Sequence, residues 1–143
     1  MSIKQISVFV ENKTGTLAKV TRFIAEAHIN LKAFCVADSQ EFGIMRIICE
    51  CPDEANELLK QAGFVTKITH VLAVEINDRP GGMATILEVL SDAGVSVEYI
   101  YAFSSYKTDV AYMMFRVDDR HKAMDALDAA GIHVADQDEI FGA

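Results

Sequence analysis

The sequence predicts an α+β protein made of two β-α-β-β-α-β units, the first over residues 1–68 and the second over 69–143. Three observations carry this. A polar, glycine-bearing turn occurs twice, as "ENKTGTL" (11–17) after "ISVFV" and as "NDRPGGM" (77–83) after "HVLAVEI". A displacement of 66 residues, Asn12 onto Asp78, also brings Lys13 onto Arg79, Gly15 onto Gly81 and Leu17 onto Met83. Around both turns the apolar spacing changes in step from the strand period to the helix period.

The first strand of each unit follows from alternation, Ile6, Val8 and Val10 in one and Leu72, Val74 and Ile76 in the other, which sends each set to a single face. Past the turn, Leu17, Val20, Ile24 and Ala27 match Met83, Ile86, Leu90 and Ala93. Each set is spaced as one apolar stripe of a helix. "INLKAFCVAD" then matches "VSVEYIYAFS", and "GIMRIICEC" matches "DVAYMMFRV". Both pairs are rich in β-branched, aromatic and sulfur side chains and read as strands two and three. "PDEANELLKQAG" and "DDRHKAMDALDAAG" open on proline or acidic residues and stop at Gly63 and Gly131, the start and stop signals of a second helix. The register slips by two residues there. "FVTKI" and "IHVAD" supply short fourth strands, and the first runs into "THVLAVEI" without a linker, so the halves are expected to be docked. This element order is the split βαβ, or ferredoxin-like, unit.

Both helices of such a unit cover one face of its sheet and leave the other open. Alternation assigns Phe9, Phe34, Val36, Ile44, Ile48, Ile100, Val110, Tyr112 and Met114 to the open faces, interrupted by Arg46, Glu75 and Arg116. A surface this apolar predicts that two chains pack together as a homodimer.

Composition excludes several functions. With 51% hydrophobic residues, 24% charged residues and two prolines, the chain has material for a packed core and little for disorder. The net charge of −8 opposes a phosphate backbone, so no nucleic-acid partner is expected. No apolar run approaches a membrane span or a signal-peptide core, which predicts a cytoplasmic protein with no membrane partner. Three cysteines, Cys35, Cys49 and Cys51, sit in apolar strand-like segments and read as reduced, buried core residues. A three-thiol metal site is disfavoured because their counterparts are Tyr101, Phe115 and Val117, and no Cys-x-x-Cys loop is present. No metal or cofactor is expected.

The turns themselves suggest ligand chemistry. Each ends at a helix N-terminus, where backbone N–H groups lack intrahelical partners and the dipole is positive, a setting that suits a carboxylate. Gly15 and Gly81 permit close approach to the backbone, and Pro80 fixes part of the second turn. Asn12 and Asp78 stand where a side-chain oxygen either braces the turn or accepts a proton from a ligand ammonium. Asx and glycine residues also occupy such turns with no ligand, so spacing alone leaves both roles open.

At these residues the sequence resembles the ACT domain family, small β-α-β-β-α-β modules that bind amino acids and related metabolites and regulate enzymes or transcription. "NDRPGGMATILEVLSDAGVSVEYI" is similar to the family's acidic-or-Asn, x-Pro-Gly signature followed by a helix and "GVxV". "ENKTGTLAKVTRFIAEAHINLKAF" departs from it at Thr14 and His28. The resemblance, taken twice, covers nearly the whole chain and implies a tandem ACT protein whose units pair side by side into one sheet. It further implies one site of Asn12, Gly15, Thr16 and Leu17 facing Ser96, and another of Asp78, Gly81, Gly82 and Met83 facing Asn30, with the charge on Asp78 making the second the tighter. Asn30 and Ser96 are also the small polar residues at the start of strand two, where they equally suit water.

The remaining polar groups form no catalytic pattern. His28, His70, His121 and His133 are scattered, without HExxH or nucleophile-base spacing. Asp118 and Asp119 read as a helix start, and Asp136, Asp138 and Glu139 as a solvated acidic tail, with a weak cation site the lesser alternative. Tyr99, Tyr101, Phe103 and Tyr106 read mostly as core. The function expected is therefore a non-enzymatic regulator that binds a free amino acid. The alternative is a ligand-independent regulatory subunit of a metabolic enzyme; a small enzyme on this fold is the weakest reading.

Overall fold

The computed structural model describes residues 2–11, 13–38, 42–103 and 110–141, so Asn12 and Tyr106 lie outside the described residues. The chain divides into two compact units, an amino-terminal one of Lys4–Thr69 and a carboxy-terminal one of His70–Ala143 joined by Met1–Ile3.

The amino-terminal unit contains β1 (Ile3–Glu11), α1 (Thr16–Glu26), β2 (Leu31–Asp38), β3 (Phe42–Cys49), α2 (Pro52–Gln61) and the start of β4 (Val65–Asn77). β3 lies between β1 and β2 and is antiparallel to both. Ile6 and Val8 of β1, Met45 and Ile47 of β3, Val20 and Ile24 of α1 and Leu59 of α2 form its core, with Ile68 of β4 packed against it. Val20 and Ile24 of the stripe read from the sequence are the buried face of α1, while Leu17 at its start is 40% exposed.

The carboxy-terminal unit repeats the order with the rest of β4, α3 (Gly82–Asp92), β5 (Val97–Phe103), β6 (Val110–Val117), α4 (Arg120–Ala129) and β7 (Val134–Ala135). β6 pairs antiparallel with β4 and β5, and β7 pairs with the other edge of β4. Leu72, Val74, Ile86, Leu90, Phe115 and Leu127 form its core. β4 is one unbroken strand of 13 residues, which is why no linker is visible in the sequence.

Two details overturn the face assignments made from alternation. β2 and β5 each carry a register shift, between Leu31 and Ala33 and between Val97 and Tyr99, at equivalent positions of the two copies. An extra residue at a bulge moves every later side chain to the opposite face. Phe34 and Val36 consequently stand opposite Ile47 and Met45, and Ile100 opposite Phe115, on the helix side of their sheets. Phe34 and Val36 are nonetheless 56% and 42% exposed, because β2 is an edge strand. On the other face, Ile48, Tyr112 and Met114 are buried within the single chain. They offer no surface for a second copy, and the apolar water-facing sheet that motivated the homodimer is absent at these residues.

Smaller corrections follow the same logic. β3 ends at Cys49, and the chain turns into α2 at Pro52, so Cys51 leaves the strand and is exposed at the helix N-cap. Cys49 stays buried, and that burial pushes its thiol up to about 11. Asp119 caps α4 through Oδ1, which accepts the Lys122 N–H at 3.1 Å. The acidic tail contains a short helix, α5 (Gln137–Phe141). Asp136 Oδ1 accepts from the Glu139 N–H at 2.9 Å, and Glu139 Oε1 accepts from the Asp136 N–H at 3.3 Å. Those reciprocal bonds are a capping box.

Candidate functional site at the second turn

The two glycine turns agree hydrogen bond for hydrogen bond. Thr16 N–H donates to the Lys13 carbonyl at 3.2 Å, and Gly82 N–H to that of Arg79 at 3.1 Å. At the first residue of each turn, Lys13 N–H reaches the Glu11 carbonyl and Arg79 N–H that of Asn77, both at 2.8 Å. Gly15 (φ 87, ψ −9) and Gly81 (φ 89, ψ −9) occupy the third position of each turn. These are the dihedrals of a type II turn, which requires a positive φ at that position and favours proline just before it. Pro80-Gly81 meets both demands, whereas the first copy meets one, with Thr14-Gly15. Gly82 has a separate cause. A Cβ there would stand 2.5 Å from the Asn77 carbonyl oxygen, so the α3 start lies tight against the end of β4.

Neither helix has a side-chain cap at its N-terminus. The Gly82 N–H is taken by the Arg79 carbonyl, so the next two N–H groups of α3, those of Met83 and Ala84, depend on water or a ligand. The turn before α3 borders a cleft of about 470 Å³ formed by Glu75, Ile76 and Asn77 of β4, the turn residues Arg79, Pro80, Gly81 and Gly82, Thr85 and Ile86 of α3, and Gly131, Ile132 and His133 before β7. The strand order explains the meeting. β7 pairs with β4, and Glu75 N–H donates to the His133 carbonyl at 3.0 Å, so the entry to the last strand sits beside the exit of the first. His133 Nε2 lies 2.5 Å from Glu139 Oε2. The hydrogen bond that the imidazole donates to the Glu139 carboxylate raises its pKa above the ordinary value, and the charges of Glu139, Glu75 and Asp136 act in the same direction.

Of the residues singled out from the sequence, Pro80, Gly81 and Gly82 line this cleft. Exposed Asp78 and half-buried Met83 belong to the same segment but do not line it. Ser96 is exposed, with its backbone N–H bonded to Asp118 Oδ1 at 2.9 Å, and Asn30 is exposed at the approach to β2. Gly15, Thr16 and Leu17 form the equivalent turn of the other unit, where Leu17 is 40% exposed. Glu75, Ile132 and His133 carried no motif. The signal that points to them is topological, since strand four neighbours strand one in this fold.

The equivalent place in the amino-terminal unit has different chemistry. Lys13, in the position of Arg79, is paired with Glu11 at 2.6 Å. Phe9 replaces Glu75 and Val65 replaces His133, and these are 41% and 65% exposed. No described helix is long and apolar enough to cross a membrane, and no group of three or more potential metal ligands is found among the described residues.

Two ferredoxin-like units in tandem, each opening its first helix on the same type II turn, define the class of protein. The chain belongs to the ACT domain pair family, whose model matches residues 1–140. A solved protein from Bacteroides thetaiotaomicron is 35% identical, with a TM-score of 0.91 over 99% of this chain and 96% of that one. The regulatory subunit of aspartate kinase from Thermus thermophilus, in a ligand-free form, is 19% identical, with a TM-score of 0.67 and 90% of each chain covered. That of Thermus flavus is 18% identical, with a TM-score of 0.63 over 90% of this chain and 92% of that one. At such identities these two share the fold. No curated protein matches the chain. ACT domain pairs are typical of regulatory amino-acid-binding domains.

Proposed function

We propose that this chain is a non-enzymatic regulator that senses a free amino acid through the α3 turn. The observation that carries the reading is the cleft of about 470 Å³ at an uncapped helix start, with Pro80-Gly81-Gly82 as its floor. Its size suits a small ligand, and the positive end of the α3 dipole beside it suits a carboxylate. The regulated partner is a cytoplasmic enzyme of amino acid metabolism, by analogy with the aspartate kinase subunits that share the fold.

A thermal-denaturation screen against each proteinogenic amino acid at millimolar concentration tests the function. One or a few of them raise the melting temperature, because a ligand that binds only the folded state stabilises it. No shift with any of them sinks the reading. Exposed Phe34 and Phe42 support association of the chain, as a homodimer, and sedimentation at micromolar concentration tests that separately.

A further inference from the structure

Helix α5 (Gln137–Phe141) follows β7 almost at once, and its five residues are too few for a helix to persist on its own. It therefore depends on what ties it to the rest of the unit. One tie is apolar, Ile140 at 9% exposure. Another is Glu139, whose two carboxylate oxygens divide between tasks. Oε1 accepts the Asp136 N–H at 3.3 Å and closes the helix cap, while Oε2 lies 2.5 Å from His133 Nε2 at the entry to β7. One side chain thus both starts the helix and fastens it. His133 is itself anchored by its backbone, since its carbonyl accepts the Glu75 N–H at 3.0 Å.

The ring stands among carboxylates. Glu139 acts on it from α5, Asp136 from the connection between β7 and α5, and Glu75 from β4, while Arg79 of the α3 turn lines the same cleft. A protonated imidazole is held there by hydrogen bond and charge together, and a neutral one keeps at most the hydrogen bond. The repeat gives an independent comparison. The amino-terminal unit has Val65 in place of His133, and there the chain runs on as the unbroken β4 with no helix in the place of α5. The histidine and the helix it fastens occur together, in one copy.

We propose that α5 is a proton-controlled strap, which protonated His133 holds through Glu139 against the entry to β7 and which the neutral ring releases. Linkage makes the effect reciprocal. The factor by which docking of α5 raises the proton affinity of His133 is the factor by which protonation favours docking. The sign follows from the raised imidazole, so the clamp is complete below 6.5 and weakens as pH rises through the docked value. Because His133 also lines the cleft at the α3 turn, the strap holds that wall in acid and loosens it in base. The device stands whether or not an amino acid occupies the cleft.

Carbon-detected NMR of the whole chain tests it, because the backbone carbon shifts of Gln137–Phe141 report helix content at any pH. The ring shifts of His133 are followed in the same samples from about pH 5.5 to about pH 8.5, the range in which an imidazole titrates. Expected is a fall of at least about threefold in the docked-to-free ratio of α5, with the same midpoint as the ring. His133→Gln and Glu139→Gln each abolish that pH dependence. Glutamine at 139 retains the cap but lowers the His133 midpoint. Circular dichroism checks that both variants fold, and the wild-type profile decides even where one does not. An α5 whose shifts stay constant while His133 titrates overturns the proposal, as does a pH dependence that persists in folded His133→Gln.

Discussion

Gly82 lies so close to Asn77 that a Cβ on it would stand 2.5 Å from the Asn77 carbonyl oxygen. Backbone atoms on both sides prevent relief by a side-chain rotation, so Gly82→Ala must shift either the end of β4 or the start of α3. The expected cost is about 1–3 kcal/mol, typical of forced overpacking. Urea denaturation measures it. Thr16→Ala at the equivalent position of α1 should stay within about 0.5 kcal/mol of wild type, since a side chain is already accommodated there.

His28 adopts φ 60 at the end of α1, where the second copy has Gly94 at φ 76. Both residues close the same cap, with His28 N–H donating to Ala25 and Gly94 N–H to Ser91, each at 3.0 Å. A residue with a Cβ pays in this region of the backbone and glycine does not. His28→Gly is therefore expected to stabilise the protein, by about 0.5–1 kcal/mol after the entropy glycine adds to the unfolded chain. A lower denaturation midpoint in that variant would contradict this.

Much of the fold was legible because the chain states it twice. Strand alternation and the stripes of α1 and α3 repeat across 66 residues, and each copy supports the assignment of the other. The bulges after Leu31 and Val97 were not legible, since an inserted residue leaves the composition of a strand unchanged while reversing its faces. That one feature moved Phe34, Val36 and Ile100 to the other side. α5 was hidden by its length, although Asp136 and Glu139 have capping-box spacing. At the site, Pro80, Gly81 and Gly82 were readable from local turn chemistry. Glu75 and His133 were not, because they are 58 positions apart and meet only through the pairing of β7 with β4.

Ile48 and Met114 are fully buried, so their replacement by glutamate tests the interior of one chain and not a dimer surface. An unpaired carboxylate in an apolar interior costs several kcal/mol unless it takes up a proton. Ile48→Glu or Met114→Glu should lose the cooperative unfolding transition seen by circular dichroism. Phe34→Glu, at a position 56% exposed, should keep that transition with a change of about 0.5 kcal/mol or less. Wild-type stability in Ile48→Glu would refute the burial described here.

The His133–Glu139 pair gives a pH signature. The folded-state pKa of His133 is raised from its ordinary value of 6.5, first by the Glu139 hydrogen bond. A raised imidazole contributes stability that is fully present below 6.5 and lost as pH rises through the folded-state value. The ring is half exposed, so screening keeps the effect small. Melting temperatures of wild type and His133→Gln should differ more at acidic than at alkaline pH; a gap that widens with rising pH would have the wrong sign.

The claim at the centre of this account is that a free amino acid enters the cleft between the α3 turn and the entry to β7. Amide NMR of isotopically labelled protein, titrated with each proteinogenic amino acid to millimolar concentration, tests it most directly. The account predicts saturable shifts centred on Glu75, Arg79, Gly81, Gly82 and His133, with the equivalent amides Phe9, Lys13, Gly15, Thr16 and Val65 unmoved. Saturable shifts centred on Gly15 and Thr16 in place of Gly81 and Gly82, or no shifts with any amino acid, would contradict it.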